Sequence, residues 1–285
     1  MRSASLTLIV AACFNQPTQS APGTLTFSVD APTGNEIYTC YAFDAAALAH
    51  QWVTAIRWTP PPDGNVVMHH ATLYALTSWS NGGVSTCWDM PAATGLQVWA
   101  PGSGDLVMPS DMGIVLPSGV SKLVVQVHAI RTADGPPLPA SVRVDATSVA
   151  PARPAAWLAM SAPIPALRPH MQDSSTASCT VAAPIHAVMD WPHMHLAGQQ
   201  FHGALLRGDG TQTPLADVDP WDFHAQRIYP IDVDIAAGDQ VQTTCTWFNA
   251  TNDYIFAGPK TTDEMCNQAL LVWPAENASW KGQCL

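Results

Sequence analysis

Histidines at three places in this acidic chain are candidate metal ligands. His193 and His195 are two residues apart, so on a strand both imidazoles project from one face towards a single ion. His69 and His70 are adjacent and would point to opposite faces of a regular strand. They can meet one metal only at a bulge or a strand end. His128 stands alone in an apolar segment, and read singly it is more typical of a core or surface residue.

Short alternating segments surround these histidines, and helical periodicity is nearly absent. Each segment places its apolar side chains on one face, as Leu25, Phe27 and Val29 do, and Gly-rich turn signals separate the segments. This pattern predicts an all-β fold of two consecutive antiparallel β-sandwich, jelly-roll-like domains. The predicted strands include residues 24–30, 122–130, 141–149, 229–235, 239–249 and 267–273.

A Pro-containing stretch at residues 150–163 lies near the middle of the chain and is the predicted domain junction. It divides the chain into an N-terminal sandwich, residues 23–150, and a C-terminal sandwich, residues 151–285. Residues 1–22 are predicted to be a signal and tether and are left out of fold reasoning.

The beginning of the chain predicts export. Arg2 precedes a short apolar run, and Val10-Ala11-Ala12-Cys13 resembles the lipobox of bacterial lipoproteins, in which the cysteine is lipidated. We therefore expect a bacterial protein of the periplasm or cell surface, anchored through Cys13. The alternative is an ordinary signal peptide that is cleaved after a small residue.

The charge of the chain limits the classes of partner that it can bind, and its cysteine content indicates the compartment in which it works. The net charge is −11 and Lys and Arg form no cluster, which disfavours nucleic-acid and anionic-membrane partners; any membrane contact is expected only through a lipid anchor. Without Cys13 six cysteines remain, none in a CxxC pair, which predicts three disulfides in an exported protein. Six cysteines allow fifteen connectivities, so sequence reasoning leaves the pairing open.

Residues 186–198 carry the most specific pattern in the chain. They resemble the signature His-x-Phe-x4-His-Thr-His-x2-Gly of the copper type II, ascorbate-dependent monooxygenases, the family of peptidylglycine hydroxylase and dopamine β-hydroxylase. Three histidines and the glycine match, whereas Val188 and Met194 replace the Phe and the Thr.

Three further segments resemble the same family in the same order. Residues 66–70 are similar to its histidine pair, residues 125–128 to its third histidine, and residues 262–267 to the segment that delivers a methionine ligand. Together the four segments cover most of the chain after the signal.

The resemblance implies two copper ions per chain, one in each sandwich, facing a cleft. Imidazole suits copper in both oxidation states, and a thioether favours Cu(I). Ascorbate or another one-electron reductant, dioxygen and a small organic substrate are the implied reaction partners. The implied ligands are His69, His70 and His128 for the electron-transfer copper, and His193, His195 and Met265 for the oxygen-activating copper.

The resemblance also implies a cysteine pairing, and metal-binding histidines in general need partners that fix their tautomers. Asp190 and Asp263 are the two candidates to orient the imidazoles from behind. The implied disulfides are Cys40–Cys87, Cys179–Cys284 and Cys245–Cys266.

Two departures from the family bear on the substrate. Trp191 stands where the peptide-amidating branch has an arginine that binds a carboxylate, and Ala269 stands where the family has a tyrosine. Asn267 and Gln126 match family residues near substrate or solvent. A tryptophan at this position suits a neutral or aromatic substrate; the alternative is that Trp191 packs in the core.

The sequence therefore predicts a copper monooxygenase that hydroxylates a C–H bond. One alternative is an exported copper-binding or copper-buffering lipoprotein without turnover. The other is a zinc-dependent hydrolase, which is disfavoured because such enzymes rarely use methionine and usually need a carboxylate base.

Overall fold

The computed structural model describes residues 18–21, 23–29, 37–62, 68–87, 93–130 and 137–281. Strands make up most of this part of the chain, and its helices are two short 3-10 turns, Ala46–Leu48 and Ala275–Asn277. The predicted all-β fold is confirmed.

Among the described residues, eleven strands precede residue 150. They are β1 (Thr18–Ala21), β2 (Thr24–Val29), β3 (Ile37–Asp44), β4 (Trp52–Thr59), β5 (Met68–Leu76), β6 (Val84–Thr86), β7 (Thr94–Trp99), β8 (Leu106–Val107), β9 (Met112–Val115), β10 (Lys122–Ala129) and β11 (Leu138–Thr147).

Nine strands follow in the part of the chain that the structure describes, up to residue 281. They are β12 (Arg153–Ser161), β13 (Gln172–Val181), β14 (Ile185–Met194), β15 (Gly198–Leu206), β16 (Gln212–Val218), β17 (Tyr229–Ile235), β18 (Gln240–Phe248), β19 (Cys266–Trp273) and β20 (Trp280–Lys281). All six segments singled out by alternation contain a strand within about three residues of the expected bounds.

Three sheets hold these strands. One five-stranded sheet of the first half has the order β6-β3-β10-β5-β7, and one of the second half has the order β16-β15-β18-β13-β20. The third sheet belongs to both halves and has the order β1-β2-β11-β4-β9-β12-β19-β14-β17, with β8 paired to β4.

The shared sheet continues across the predicted junction. Arg153, Pro154 and Ala155 of β12 pair in parallel with Met112, Gly113 and Ile114 of β9. The stretch that we expected to separate the domains therefore begins a strand. The division at residue 150 falls between β11 and β12 and stays a prediction, because the sheet is continuous across it.

Side-chain alternation on β19 decides what each half buries. Leu270 and Val272 pack in the core of the second half, whereas Leu271 packs with the core of the first half. The odd-numbered residues of β19 thus face the N-terminal half. Strands β12, β19 and β14 of the shared sheet consequently pack against β5 and β7. Both predicted metal sites lie at this interface.

Candidate metal centre

The three N-terminal histidines converge at a β-bulge. His128 of β10 pairs with His70 of β5, but the next pair joins Ala129 to Met68, so His69 is the extra residue. A bulge re-aims a side chain that a regular strand would send to the opposite face. It is the feature that two adjacent histidines need in order to share one ion.

Three Nδ1 atoms meet at this bulge. The Nδ1 of His69 lies 3.2 Å from that of His70 and 3.1 Å from that of His128. One nitrogen from each residue lies within 4.8 Å of the others. A tetrahedral ion roughly 2 Å from each imidazole nitrogen holds such nitrogens about 3.3 Å apart. The spacing therefore fits one metal ion, and imidazole is a good copper ligand.

Burial keeps these imidazoles neutral. Loss of hydration, followed by repulsion from neighbouring histidines, lowers the pKa of His69 to about 2 and that of His70 well below its ordinary value. Burial lowers the pKa of His128 to about 4. Tyr38 stacks on the His128 ring with centroids 4.2 Å apart. At neutral pH all three rings keep a lone pair for a metal.

His193 lies near the end of β14, and His195 directly follows that strand. Their side chains lie on the same face, with ring centroids 5.1 Å apart. The Nδ1 of His193 contacts the Gln226 Oε1 at 2.7 Å, and that of His195 contacts the Asp263 carbonyl oxygen at 3.1 Å. Both partners are acceptors, so each Nδ1 carries the proton and donates it. This leaves Nε2 as the ligand atom of each ring.

The remaining nitrogen of the second histidine supports this assignment. The Nε2 of His195 is buried and makes no hydrogen bond within the described part of the chain. Burial, then repulsion from His195, lowers the pKa of His193 to about 3; burial lowers that of His195 to about 4. A buried, neutral nitrogen without a donor is suited to a metal ion.

Met265 precedes β19 and lies beside the histidine pair. His193 is directly opposite Asn267 across the β14–β19 ladder, and Met265 is two residues before Asn267, so all three side chains share one face. The Asn267 amide contacts the Met265 sulfur at 3.4 Å. The strand register thus places Met265 on the same face as the two histidines that are implied with it as ligands of the second copper.

Glu264 holds the backbone around His195 and Met265 in place, and sequence reasoning did not identify it. Its carboxylate is almost fully buried and accepts backbone N–H groups of His195, Ala197 and Met265, as well as the indole N–H of Trp247. Burial raises its pKa to about 7 against these hydrogen bonds. The available signal was an acidic residue directly before a predicted ligand, Met265.

Residues 221–226, here called the bridging loop, connect the two sites. Phe223 stacks on His69 with centroids 4.6 Å apart and presents its edge to His195 at 6.2 Å. One phenyl ring therefore lies between the two histidine groups. The side chain of Gln226, which orients His193, also donates to the Phe223 carbonyl oxygen at 2.9 Å.

Two glycines permit the close approach of this loop. A Cβ on Gly102, whose φ is +83°, would lie 2.6 Å from the Ala225 Cα. A Cβ on Gly198, the glycine of the C-terminal pattern, would lie 2.7 Å from the Trp221 ring. The loop also donates one backbone hydrogen bond to each half, from Gln226 N to the Pro101 oxygen and from Trp221 N to the Gln199 oxygen.

The described chain contains two of the three implied disulfides. Cys40 bonds to Cys87, and Cys245 bonds to Cys266. The second ties the residue after Met265 to β18. Cys179 is disulfide-bonded, but its implied partner Cys284 lies outside the described residues, as does Cys13.

The predicted substrate residues occupy different positions. The Trp191 ring stacks on that of His193 with centroids 5.3 Å apart, and Asn267 also accepts a hydrogen bond from Ser161 Oγ at 2.6 Å. Gln126 precedes His128 by two residues on β10, so the two side chains lie on the same face. The Gln126 amide donates to the Cys87 carbonyl oxygen at 3.0 Å.

The suggestion that Asp190 orients an imidazole is wrong, because its position in β14 has the opposite parity to the histidines. It points into the core of the second half, where it accepts from Ala216 N at 2.9 Å and from the Gln268 amide at 2.7 Å. Burial raises its pKa to about 7. Asp263 does serve, but through its backbone oxygen.

Comparison with known proteins gives one family. Residues 159–284 match the model of the copper type II ascorbate-dependent monooxygenase C-terminal domain. A segment of 90 residues, 30% of the chain, is 32% identical to the Homo sapiens protein named "DBH-like monooxygenase protein 2", whose own assignment is provisional. The match spans only 18% of that protein.

Solved structures add no functional argument. A structure of infectious bursal disease virus Gt strain covers 88% of the chain and is itself covered to 69%, at 11% identity and a TM-score of 0.23. A β-porphyranase of glycoside hydrolase family 86 from Bacteroides plebeius gives 90% and 38% coverage, 11% identity and a TM-score of 0.21. Similarity this low carries no conclusion about this chain.

Proposed function

Because the chain belongs to the copper type II ascorbate-dependent monooxygenase family, we propose that it hydroxylates a C–H bond of a small organic substrate. In the balanced reaction, R–H, dioxygen, two electrons and two protons give R–OH and water. Ascorbate or another one-electron reductant supplies the electrons. The observation that carries the proposal is the pair of neutral donor sets on the two facing sheets, with one phenyl ring between them.

Each donor set would hold one copper. His69, His70 and His128 would bind through their converging Nδ1 atoms. His193 and His195 would bind through Nε2, together with the Met265 sulfur. When bound, copper cycles between Cu(I) and Cu(II) and supplies dioxygen with single electrons.

The residues of the chain prepare this chemistry in three ways. Burial keeps the five imidazoles unprotonated, so no proton competes with the metal at neutral pH. Gln226 and the Asp263 carbonyl fix the tautomers of His193 and His195. The thioether of Met265 favours the reduced metal, the form that reacts with dioxygen.

The test is ascorbate-driven oxygen uptake by the copper-loaded protein. We expect Met265→Ala to lower the rate at least tenfold, whereas Met171→Ala, which removes an exposed methionine elsewhere, should leave it unchanged. Two bound coppers with no oxygen uptake in any condition would instead favour the copper-binding alternative. Zinc binding with ester or amide hydrolysis would favour the hydrolase.

We further infer that the protein works in an oxidising compartment. Two disulfides in the described residues support this, because such bonds persist mainly outside the cytosol. Within the same residues no helix has the length and apolarity needed to cross a bilayer. Anchoring through Cys13 remains a proposal, which extraction of native membranes with and without a Cys13→Ser substitution would test.

A further inference from the structure

A cavity of about 200 Å³ lies next to the predicted oxygen site, between the two halves. Trp191 and Ala269 are cross-strand neighbours, and both line this cavity. The next residue pair along the same face is His193 and Asn267. Two residues of strand span about 7 Å, so the cavity begins within reach of the predicted ligands.

Most polar groups of the cavity wall have partners, whereas the indole N–H of Trp191 is buried without a hydrogen-bond partner in the described part of the chain. Gln97 accepts from the Trp58 indole at 3.1 Å, and the Trp157 indole donates to the Leu96 carbonyl oxygen at 2.7 Å. The hydroxyls of Tyr74 and Thr72 are hydrogen-bonded to each other, and burial raises the pKa of Tyr74, which keeps it neutral.

None of the described residues that line the cavity is charged. A carboxylate or an ammonium group that entered would lose its hydration without gaining a counter-ion, which costs several kcal/mol. Size gives a second limit, since an apolar protein cavity of about 150 Å³ holds benzene. A cavity somewhat larger than that fits one aromatic ring with a short chain. Ala159, at the cavity, is exposed and marks a route of entry.

We propose that this cavity binds an uncharged apolar molecule of about the size of an alkylbenzene, and that Trp191 and Ala269 determine this preference. Trp191 contributes an uncharged aromatic ring to the cavity wall, and this ring also packs on His193. Ala269 leaves the space that a larger side chain would fill. That the bound molecule is the one hydroxylated rests on the proposed function; that it binds here does not.

Binding can be tested on the full-length, copper-free protein, so that the result does not depend on turnover. Isothermal titration calorimetry would compare propylbenzene with 3-phenylpropionate, which share a phenyl ring and a three-carbon chain and differ in charge. We expect propylbenzene to bind at least tenfold more tightly. Equal affinities, a preference for the carboxylate, or no binding of propylbenzene would each overturn the proposal.

Substitutions in the cavity wall test whether the ligand binds in this cavity. Ala269→Phe should weaken propylbenzene at least tenfold by filling the cavity, while Ala237→Phe, at an exposed turn, should not. Trp191→Arg should reverse the preference towards 3-phenylpropionate. Binding that is unaffected by Ala269→Phe would place the ligand elsewhere and overturn the proposal. If binding behaves as expected but the copper-loaded protein consumes no oxygen, the inference stands and the proposed function fails.

Discussion

The two histidine sites are built by different means. In the N-terminal site all three histidines lie on two neighbouring strands, and the register of β5 and β10 brings the Nδ1 of His69 to 3.1–3.2 Å from those of the other two. In the C-terminal site His193 lies on β14, whereas His195 directly follows that strand and Met265 directly precedes β19. A buried carboxylate, a disulfide and the bridging loop position these residues.

This difference indicates which substitutions should weaken metal binding at each site. A site that is fixed by ladder hydrogen bonds changes only when the sheet does, whereas a site held by loops depends on the residues that hold the loops. We therefore expect substitutions outside the ligands to weaken the C-terminal copper while the N-terminal copper is retained. The following predictions run from the largest expected effect on this contrast to the smallest.

Removal of a disulfide from each half gives the sharpest contrast. Cys245→Ser with Cys266→Ser, and separately Cys40→Ser with Cys87→Ser, should each cost about 2–4 kcal/mol of unfolding free energy. Only the first pair should also release the C-terminal copper, because Cys266 adjoins Met265. Urea unfolding and copper content would measure both effects. Loss of the N-terminal copper in the Cys40/Cys87 variant would contradict the contrast.

Glu264→Gln should produce the next largest effect. An amide cannot accept at both ends, so at least one of the four N–H groups that now contact the carboxylate loses its partner, at a cost of about 1–3 kcal/mol. We expect weaker copper binding at the C-terminal site only, measured by competition with a chelator. Glu276→Gln, at an exposed glutamate, is the matched control. Equal weakening of both sites would argue against a local role.

Gln226→Ala should act on one imidazole. Without the Oε1 acceptor the His193 tautomer is no longer fixed, and loss of such a partner typically lowers metal affinity 10–100-fold. Gln240→Ala, at an exposed strand end, should leave both affinities unchanged. The same chelator competition measures this, and an unchanged C-terminal affinity would show that the bridging loop does not orient His193.

Asp190→Asn should affect neither site, only the dependence of stability on pH. Burial raises the folded pKa of Asp190 from 3.8 to about 7, so the folded state holds a proton that the unfolded state releases. The wild type should therefore lose stability relative to the variant as pH rises from about 4 to about 7, by about 1.4 kcal/mol per pKa unit at most. The buried histidines contribute with opposite sign in both proteins, so the difference isolates Asp190.

Urea unfolding at several pH values would measure this difference. A constant difference between the two proteins across that range would mean that Asp190 stays ionised in the folded state.

Sequence patterns predicted the strands and the clustering of His69, His70 and His128 better than the residues that support the two sites. Alternation located the strands, and the adjacency of His69 and His70 implied the bulge that the structure contains. Both were local signals. Glu264, Gln226 and Phe223 act across 30 or more residues of chain or between the two halves, and nothing in their immediate neighbours reveals such contacts.

The shared sheet was also beyond sequence reasoning. The parallel pairing of β9 with β12 depends on how the two halves pack, whereas periodicity reports only which face of a strand is apolar. Strand parity, by contrast, was available, and it would have excluded Asp190 as a partner of histidines whose positions are odd-numbered.

X-ray absorption at the copper edge tests the central claim most directly, since it sees the ligand atoms themselves. The reduced, copper-loaded protein should contain two coppers and one sulfur neighbour for every two coppers. Met265→Ala should abolish the sulfur signal, and His128→Ala should remove one copper but keep the sulfur; Met171→Ala should change neither. A protein with no copper–sulfur signal, or one in which both variants weaken the same copper, would contradict an account with one three-histidine and one two-histidine–methionine site.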